Sequence, residues 1–157
     1  MSTNFNNTVP SAPSGGTNVL WQKDGSGNVS AYVPTGAAEQ IKVDATAQSA
    51  DIAPTTLFAV TAAGRFRVSG YIIVTQVGSV SSTLGSIVIT WTDADNSASQ
   101  SLTLTPTNSG NLLTTYQEAT GIISAEVSTN ISYSTSGYAA SSAASMQFAL
   151  HLVLESL

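Results

Sequence analysis

The chain contains no cysteine, which excludes a disulfide framework and any thiolate metal site. Charge is almost as scarce. Only 8% of residues are Asp, Glu, Lys or Arg, against about 25% in ordinary soluble domains. The reliable cations are Lys23, Lys42, Arg65 and Arg67, two singles and one pair. Nucleic-acid binding draws on many phosphate contacts from Lys and Arg, and four scattered cations cannot supply them. No apolar run approaches the roughly 18 residues of a spanning helix, so membrane insertion is not expected. The opening Met1-Ser2-Thr3-Asn4-Phe5-Asn6-Asn7 has no basic residue and no apolar stretch. It predicts no secretory signal, and triplets such as Asn28-Val29-Ser30 therefore carry little weight as glycan acceptors. A Gly-rich loop followed by Lys is absent too, so a phosphate cradle has no warrant.

In place of charge the chain has hydroxyls, 24 Ser and 20 Thr among 157 residues. Thr is β-branched and fits a pleated surface. The net charge of -5 is a mild acidic balance that serves solubility rather than partner choice. The length fits one domain with a short appendage, large enough to bury a core without staples.

Residues 1–18 are Asn, Ser, Thr, Pro and Gly with almost nothing apolar. Such a composition cannot offset its own ordering entropy. Two readings stand, an extended arm or a terminus without a role. Val19-Leu20-Trp21-Gln22-Lys23 and Val29-Ser30-Ala31-Tyr32-Val33 flank the Gly-rich Asp24-Gly25-Ser26-Gly27-Asn28, which predicts a β-hairpin closed off by Pro34-Thr35-Gly36. A lone hairpin is marginal in water, so it is expected to lean on something else. Residues 1–36 are thus read as an attachment arm and hairpin, with Trp21 and Tyr32 as its contact residues. Residues 37–157 are read as the head.

In the head, apolar residues recur at the strand period of two. Phe66, Val68, Ile72 and Val74 share one face of a long strand, with Tyr71 and Ile73 on the other. Ile87, Ile89 and Trp91 alternate with Ser86, Val88 and Thr90, and Leu102 and Leu104 with Ser101, Thr103 and Thr105. Ile123, Ala125 and Val127 share a face that Ile131 and Tyr133 continue. Met146, Phe148, Leu150, Leu152 and Leu154 share the last, opposite Gln147, Ala149, His151, Val153 and Glu155. Turns are expected at Ala63-Gly64, Gly78-Ser79, Asp93 to Asn96, Thr107 to Gly110 and Ser136-Gly137. Ala139 to Ser145 reads as a helical turn or a loop. No stretch sustains a 3.6 period and no repeat is visible. This spacing predicts an all-β fold, an antiparallel β-sandwich or jelly roll.

Candidate chemistry is thin. His151 is the sole histidine. It lies mid-strand between Leu150 and Leu152, and no nucleophile-elbow motif accompanies it. Asp93, Asp95 and Asn96 are the tightest group of oxygen ligands, a weak candidate for calcium. The Gly and distal Glu of an EF-hand loop are missing, since Ala98, Ser99 and Gln100 follow, and Asp and Asn favour plain turns for local reasons. Nine carboxylates do not make a glycosidase without an aromatic cleft. The expectation is no enzyme, no cofactor and no metal.

The remaining signal is a second apolar face. Tyr71, Ile73, Val88, Ala149 and Val153 point away from the core side of their strands, a side that a monomeric sandwich keeps polar. Self-association with closed symmetry is the simplest cover; a wrong in/out phase on one strand is the alternative. With Arg67 and His151 added, these are the candidate subunit-interface residues. Arg65 and Arg67 share a face with Ser69 and Tyr71, either pairing across subunits with Glu155 or Glu126, or simply solvated.

Several segments resemble a known class. Ile52-Ala53-Pro54-Thr55-Thr56-Leu57-Phe58 followed by Ala62-Ala63-Gly64-Arg65-Phe66-Arg67-Val68-Ser69-Gly70-Tyr71 is similar to an opening of bacteriophage and prophage structural proteins, with Phe66 where Tyr is usual. Ile89-Thr90-Trp91-Thr92-Asp93-Ala94, Ile131-Ser132-Tyr133-Ser134-Thr135 and Phe148 to Glu155 resemble them as well. The layout of 37–157 resembles the C1q and tumour-necrosis-factor jelly roll. Trp21 to Val29 resembles the head of fibre or decoration modules. The resemblance implies a homotrimer displayed on the virion and made in the host cytoplasm. Residues 1–36 would bind a capsid or tail protein. The alternative is a receptor- or carbohydrate-binding fibre tip that uses loops 93–99 and 108–117, with Tyr116, against a host-surface glycan.

Overall fold

A computed structural model describes residues 20–23, 29–32, 40–79, 81–140 and 145–157. The chain divides into two units, Met1–Ala37 and Ala38–Leu157. In the first, β1 (Leu20–Lys23) and β2 (Val29–Tyr32) pair antiparallel, from Leu20 opposite Tyr32 to Lys23 opposite Val29. This is the predicted hairpin. The predicted arm over 1–18, the 24–28 turn and Pro34-Thr35-Gly36 lie outside the described residues.

The second unit contains β3 (Gln40–Gln48), β4 (Thr55–Ala59), β5 (Gly64–Gln76), β6 (Ser82–Leu84), β7 (Ser86–Thr92), β8 (Ser99–Thr103), β9 (Asn108–Ser109), β10 (Tyr116–Ala125), β11 (Asn130–Ser136), β12 (Ala139–Ala140) and β13 (Gln147–Ser156). No described residue is helical. One four-stranded sheet runs β10-β5-β13-β3, a second runs β4-β11-β7-β8, and a small third runs β12-β6-β9. Every pairing is antiparallel. The chain alternates between the two larger sheets. It places β3 in the first, β4 in the second, β5 in the first, β7 and β8 in the second, β10 in the first, β11 in the second and β13 in the first. That wiring is a jelly roll.

The period of two explains the core. Phe66, Val68, Ile72 and Val74 of β5 and Phe148, Leu150, Leu152 and Leu154 of β13 are buried. They form one cluster with Ile87 and Ile89 of β7 and Ile131 and Tyr133 of β11. Each such side chain contributes about 1.5–3 kcal/mol on burial. Gly70 occupies the core-facing position between Val68 and Ile72. A Cβ there would lie 2.8 Å from Leu104 Cδ2 and 2.9 Å from Ile87 Cδ1, so the empty position admits side chains from outside the first sheet.

Four local expectations need correction. Thr107 to Gly110 is not only a turn, because Asn108 and Ser109 pair with Leu84 and Thr83 as β9. Ala139 and Ala140 pair with Thr83 and Ser82 as β12 rather than starting a helical turn; 141–144 lie outside the described residues. Val127 leaves the core face and is 46% exposed, since β10 ends at Ala125 and the chain turns at Ser128, φ 63°. Thr105, expected on the outer side, is buried. Its Oγ1 accepts the Ile87 amide at 3.0 Å, which offsets the cost of burying a hydroxyl.

Candidate functional site

The outer face of the first sheet is where apolar, aromatic and charged side chains meet. Register lays them in rows. Asp44, His151, Tyr71 and Glu118 lie level across β3, β13, β5 and β10. Next come Lys42, Val153, Ser69 and Thr120, then Gln40, Glu155, Arg67 and Ile122. On the other side Ala149, Ile73 and Tyr116 lie level.

Aromatic rings form a strip across three strands. Tyr71 stacks on His151, with centroids 6.1 Å apart at 29°, and leans on Tyr116 at 5.7 Å. Tyr116 and Ile122 are 52% and 63% exposed, so large apolar surface faces outward on an edge strand. Around the strip, His151 Nδ1 and Asp44 Oδ1 share a hydrogen bond of 2.5 Å. Ser69 and Thr120 hydroxyls bond each other at 3.0 Å. Glu155 accepts from Gln40 Nε2 at 2.8 Å and from Arg67 Nη1 at 3.4 Å. A shallow depression of about 500 Å³ is lined by Ser69, Tyr71, Glu118, Thr120, His151 and Val153 among others.

Of the seven interface candidates, Arg67, Tyr71, Ile73, Ala149, His151 and Val153 come together here. Val88 does not. It lies on β7 in the second sheet, opposite Thr103 and Ser134, because alternation tells which side of a strand a residue takes, not which sheet the strand joins. Ala149 is already 4% exposed within one chain. Within the chain Arg67 meets Glu155, and Glu126 accepts from Ser97 Oγ at 3.0 Å. Tyr116, expected in a loop, opens β10 and joins the strip. Asp44, Glu118 and Ile122 were not singled out. The signal for Ile122 and Glu118 was present, since both alternate with core-facing Ile123.

The polar groups on this face pair with one another. Asp44 orients His151 as a triad acid would, but the hydroxyls in the depression, Ser69 and Thr120, bond one another. At the other candidate site, Asp93 Oδ1 accepts the Asp95 amide and Asn96 Oδ1 the Ala98 amide, at 3.0 and 2.9 Å. These are Asx turns, a local role that suits Asp and Asn. Among the described residues no three His, Cys, Asp or Glu side chains cluster. Tyr138 lines a separate depression beside β6 and β12. Its hydroxyl donates to the Met146 carbonyl at 2.5 Å, and burial pushes its phenol up. Trp21 and Tyr32 sit on β1 and β2; their side chains lie outside the described residues.

No protein-family model matches the chain, and no curated protein does. Among solved structures it is similar to the Clostridium thermocellum N-terminal endo-1,4-beta-D-xylanase 10B CBM22-1-GH10 modules complexed with xylohexaose. Identity is 10% and the TM-score 0.38, over 72% of this chain and 24% of that one. The chain thus spans about a quarter of the length of that structure. The jelly-roll assignment rests on strand order.

Proposed function

We propose that the chain is a non-enzymatic structural module of a bacteriophage virion, a jelly roll displayed on capsid or tail as a homotrimer. One observation carries the self-association. The outer face of the first sheet presents Tyr71, Ile73, Tyr116, Ile122 and Val153 where an antiparallel sheet facing water would be polar. Aromatic residues ringed by charges are the make-up of an interface core with its rim. The virion setting is supported by the resemblance of the 52–58, 62–71, 89–94, 131–135 and 148–155 segments. It is also supported by a surface in which hydroxyls replace charge. Residues 1–36 attach the head to its partner, and three weak attachments act as one strong one.

Light scattering at micromolar concentration tests the assembly. The expected mass is three chains, and a clean monomer overturns it. Deleting residues 1–36 tests attachment: the head is expected to stay folded and trimeric yet no longer join particles. Particles that still incorporate it remove the role given to Trp21 and Tyr32.

The aromatic strip favours a second reading, a carbohydrate-binding tip. Tyr and His faces stack on sugar C–H surfaces, and Asp44, Glu118, Ser69 and Thr120 offer polar partners. Glycan binding by chains that do not associate through this face, lost in Tyr116→Ala, supports this reading; no binding leaves decoration alone.

A further inference from the structure

The only histidine of the chain stands at the centre of the face assigned to self-association. We infer that this association is strengthened by acid, with His151 as the group that takes the proton. This rests on the first sheet's outer face meeting a second copy.

The charges on that face lie in two zones along the strands. Toward the start of β5 are Arg65, Arg67 and Lys42, with Glu155 held against Arg67 at 3.4 Å. Level with His151 are two carboxylates and no cation, Asp44 on β3 and Glu118 on β10. The groups facing His151 are few. Asp44 bonds its Nδ1, Tyr71 of β5 stacks on its ring, and Glu118 of β10 lies beyond Tyr71. Lys42 is opposite Val153, two positions along the sheet. On its own strand Glu155 is four residues away and already paired.

Where a second copy meets this face, the Asp44–His151–Tyr71–Glu118 row, which crosses it from edge to edge, loses water. With a neutral imidazole, each copy buries two carboxylates there without a cation. Like charges gathered at low dielectric are costly. A protonated imidazole between them offsets one of the two. The assembly therefore holds a proton at His151 more tightly than the free copy does, and by reciprocity the proton favours assembly. Histidine is the side-chain type whose charge ordinarily changes between about pH 5 and pH 8. The association constant is thus expected to rise as pH falls through that range. Each histidine with a tenfold preference for its proton in the assembly multiplies the constant by about ten.

The test is sedimentation of the full chain from about pH 8 to about pH 5.5, with circular dichroism to confirm the fold at each pH. The wild type is expected to associate more strongly at the acid end. His151→Gln, exposed and of similar reach, is expected to flatten the profile. Asp44→Asn with Glu118→Gln is expected to raise association at the alkaline end and to flatten the profile as well. A wild-type trimer of equal strength throughout, or a slope that survives in His151→Gln, overturns the inference while leaving the assembly standing. A monomer under every condition removes the face's assigned role and the inference with it.

Discussion

The two outer faces of the sandwich are built from the same strand geometry and differ in nearly every other respect. On the first sheet, β3, β5, β10 and β13 carry Lys42, Asp44, Arg65, Arg67, Glu118, His151 and Glu155, around Tyr71, Ile73, Tyr116 and Val153. On the second sheet, β4, β7, β8 and β11 contain no charged residue. Their outer positions form hydroxyl rows, Ser132–Thr90–Ser101 and Ser134–Val88–Thr103, with Val88 as the apolar exception. Sparse charge placed on one sheet only is informative. Charges flanking apolar surface fix which partner fits and in what register. An uncharged hydroxyl face is hydrated yet makes few strong contacts. Asymmetry between the faces therefore matters more than the composition of either.

The largest expected effect separates inside from outside on one strand. Leu152 of β13 is 1% exposed, and Val153 beside it points outward. Leu152→Ala is expected to lower unfolding stability by about 2–5 kcal/mol, from lost transfer energy and the cavity left behind. Val153→Ala is expected to cost the monomer less than about 1 kcal/mol while weakening association. Urea titration of both, alongside sedimentation, checks this. Equal stability losses would mean that the sandwich already covers both sides of β13.

Next in size is Tyr71, the ring that touches both His151 and Tyr116. Tyr71→Ala is expected to weaken association by about 2 kcal/mol, roughly thirtyfold, as for a central aromatic hot spot. Its partner experiment is Thr90→Ala on the other face, which is expected to leave association unchanged. If the two variants behave alike, the faces are not functionally distinct.

Much of this contrast is legible in the sequence. The alternation in 66–74 and 146–154 identified both central strands and their inner sides, because a buried face demands unbroken period two. The outward set of Tyr71, Ile73, Ala149, His151 and Val153 followed from the same phase. Sheet membership did not follow. Val88 has the right phase on the wrong sheet, since long-range pairing leaves no local mark. Tyr116 was hidden in a Thr-rich stretch that reads equally well as loop. Asp44 reaches His151 across 107 positions of sequence, a contact that only topology creates. Two-residue strands such as β9 and β12 are too short to show a period.

A smaller effect is expected at the rim. Arg67 and Glu155 side chains are 46% and 26% exposed, so solvent screens their pairing. Arg67→Ala is expected to change monomer stability by no more than about 1 kcal/mol. In association the same variant is expected to act mainly on the on-rate, and the difference from wild type is expected to shrink as salt is raised. Stopped-flow mixing at low and high salt reads this directly. A salt-independent loss would place Arg67 inside the buried centre rather than at its edge.

The smallest effect is the most discriminating. Thr90 lies mid-face on the second sheet between Ser132 and Ser101. A lysine there keeps a β-strand backbone, reaches water freely and meets no charged residue on its own or the neighbouring strands. Thr90→Lys is therefore expected to alter stability by less than about 0.5 kcal/mol and to leave the assembled mass unchanged. The equivalent change on the first sheet, Ile73→Lys, places a desolvated cation level with Ala149 and Tyr116 and is expected to yield monomers. If Thr90→Lys also dissociates the assembly, copies meet through the hydroxyl face. The aromatic strip would then be free for a ligand, and the glycan reading would take the lead.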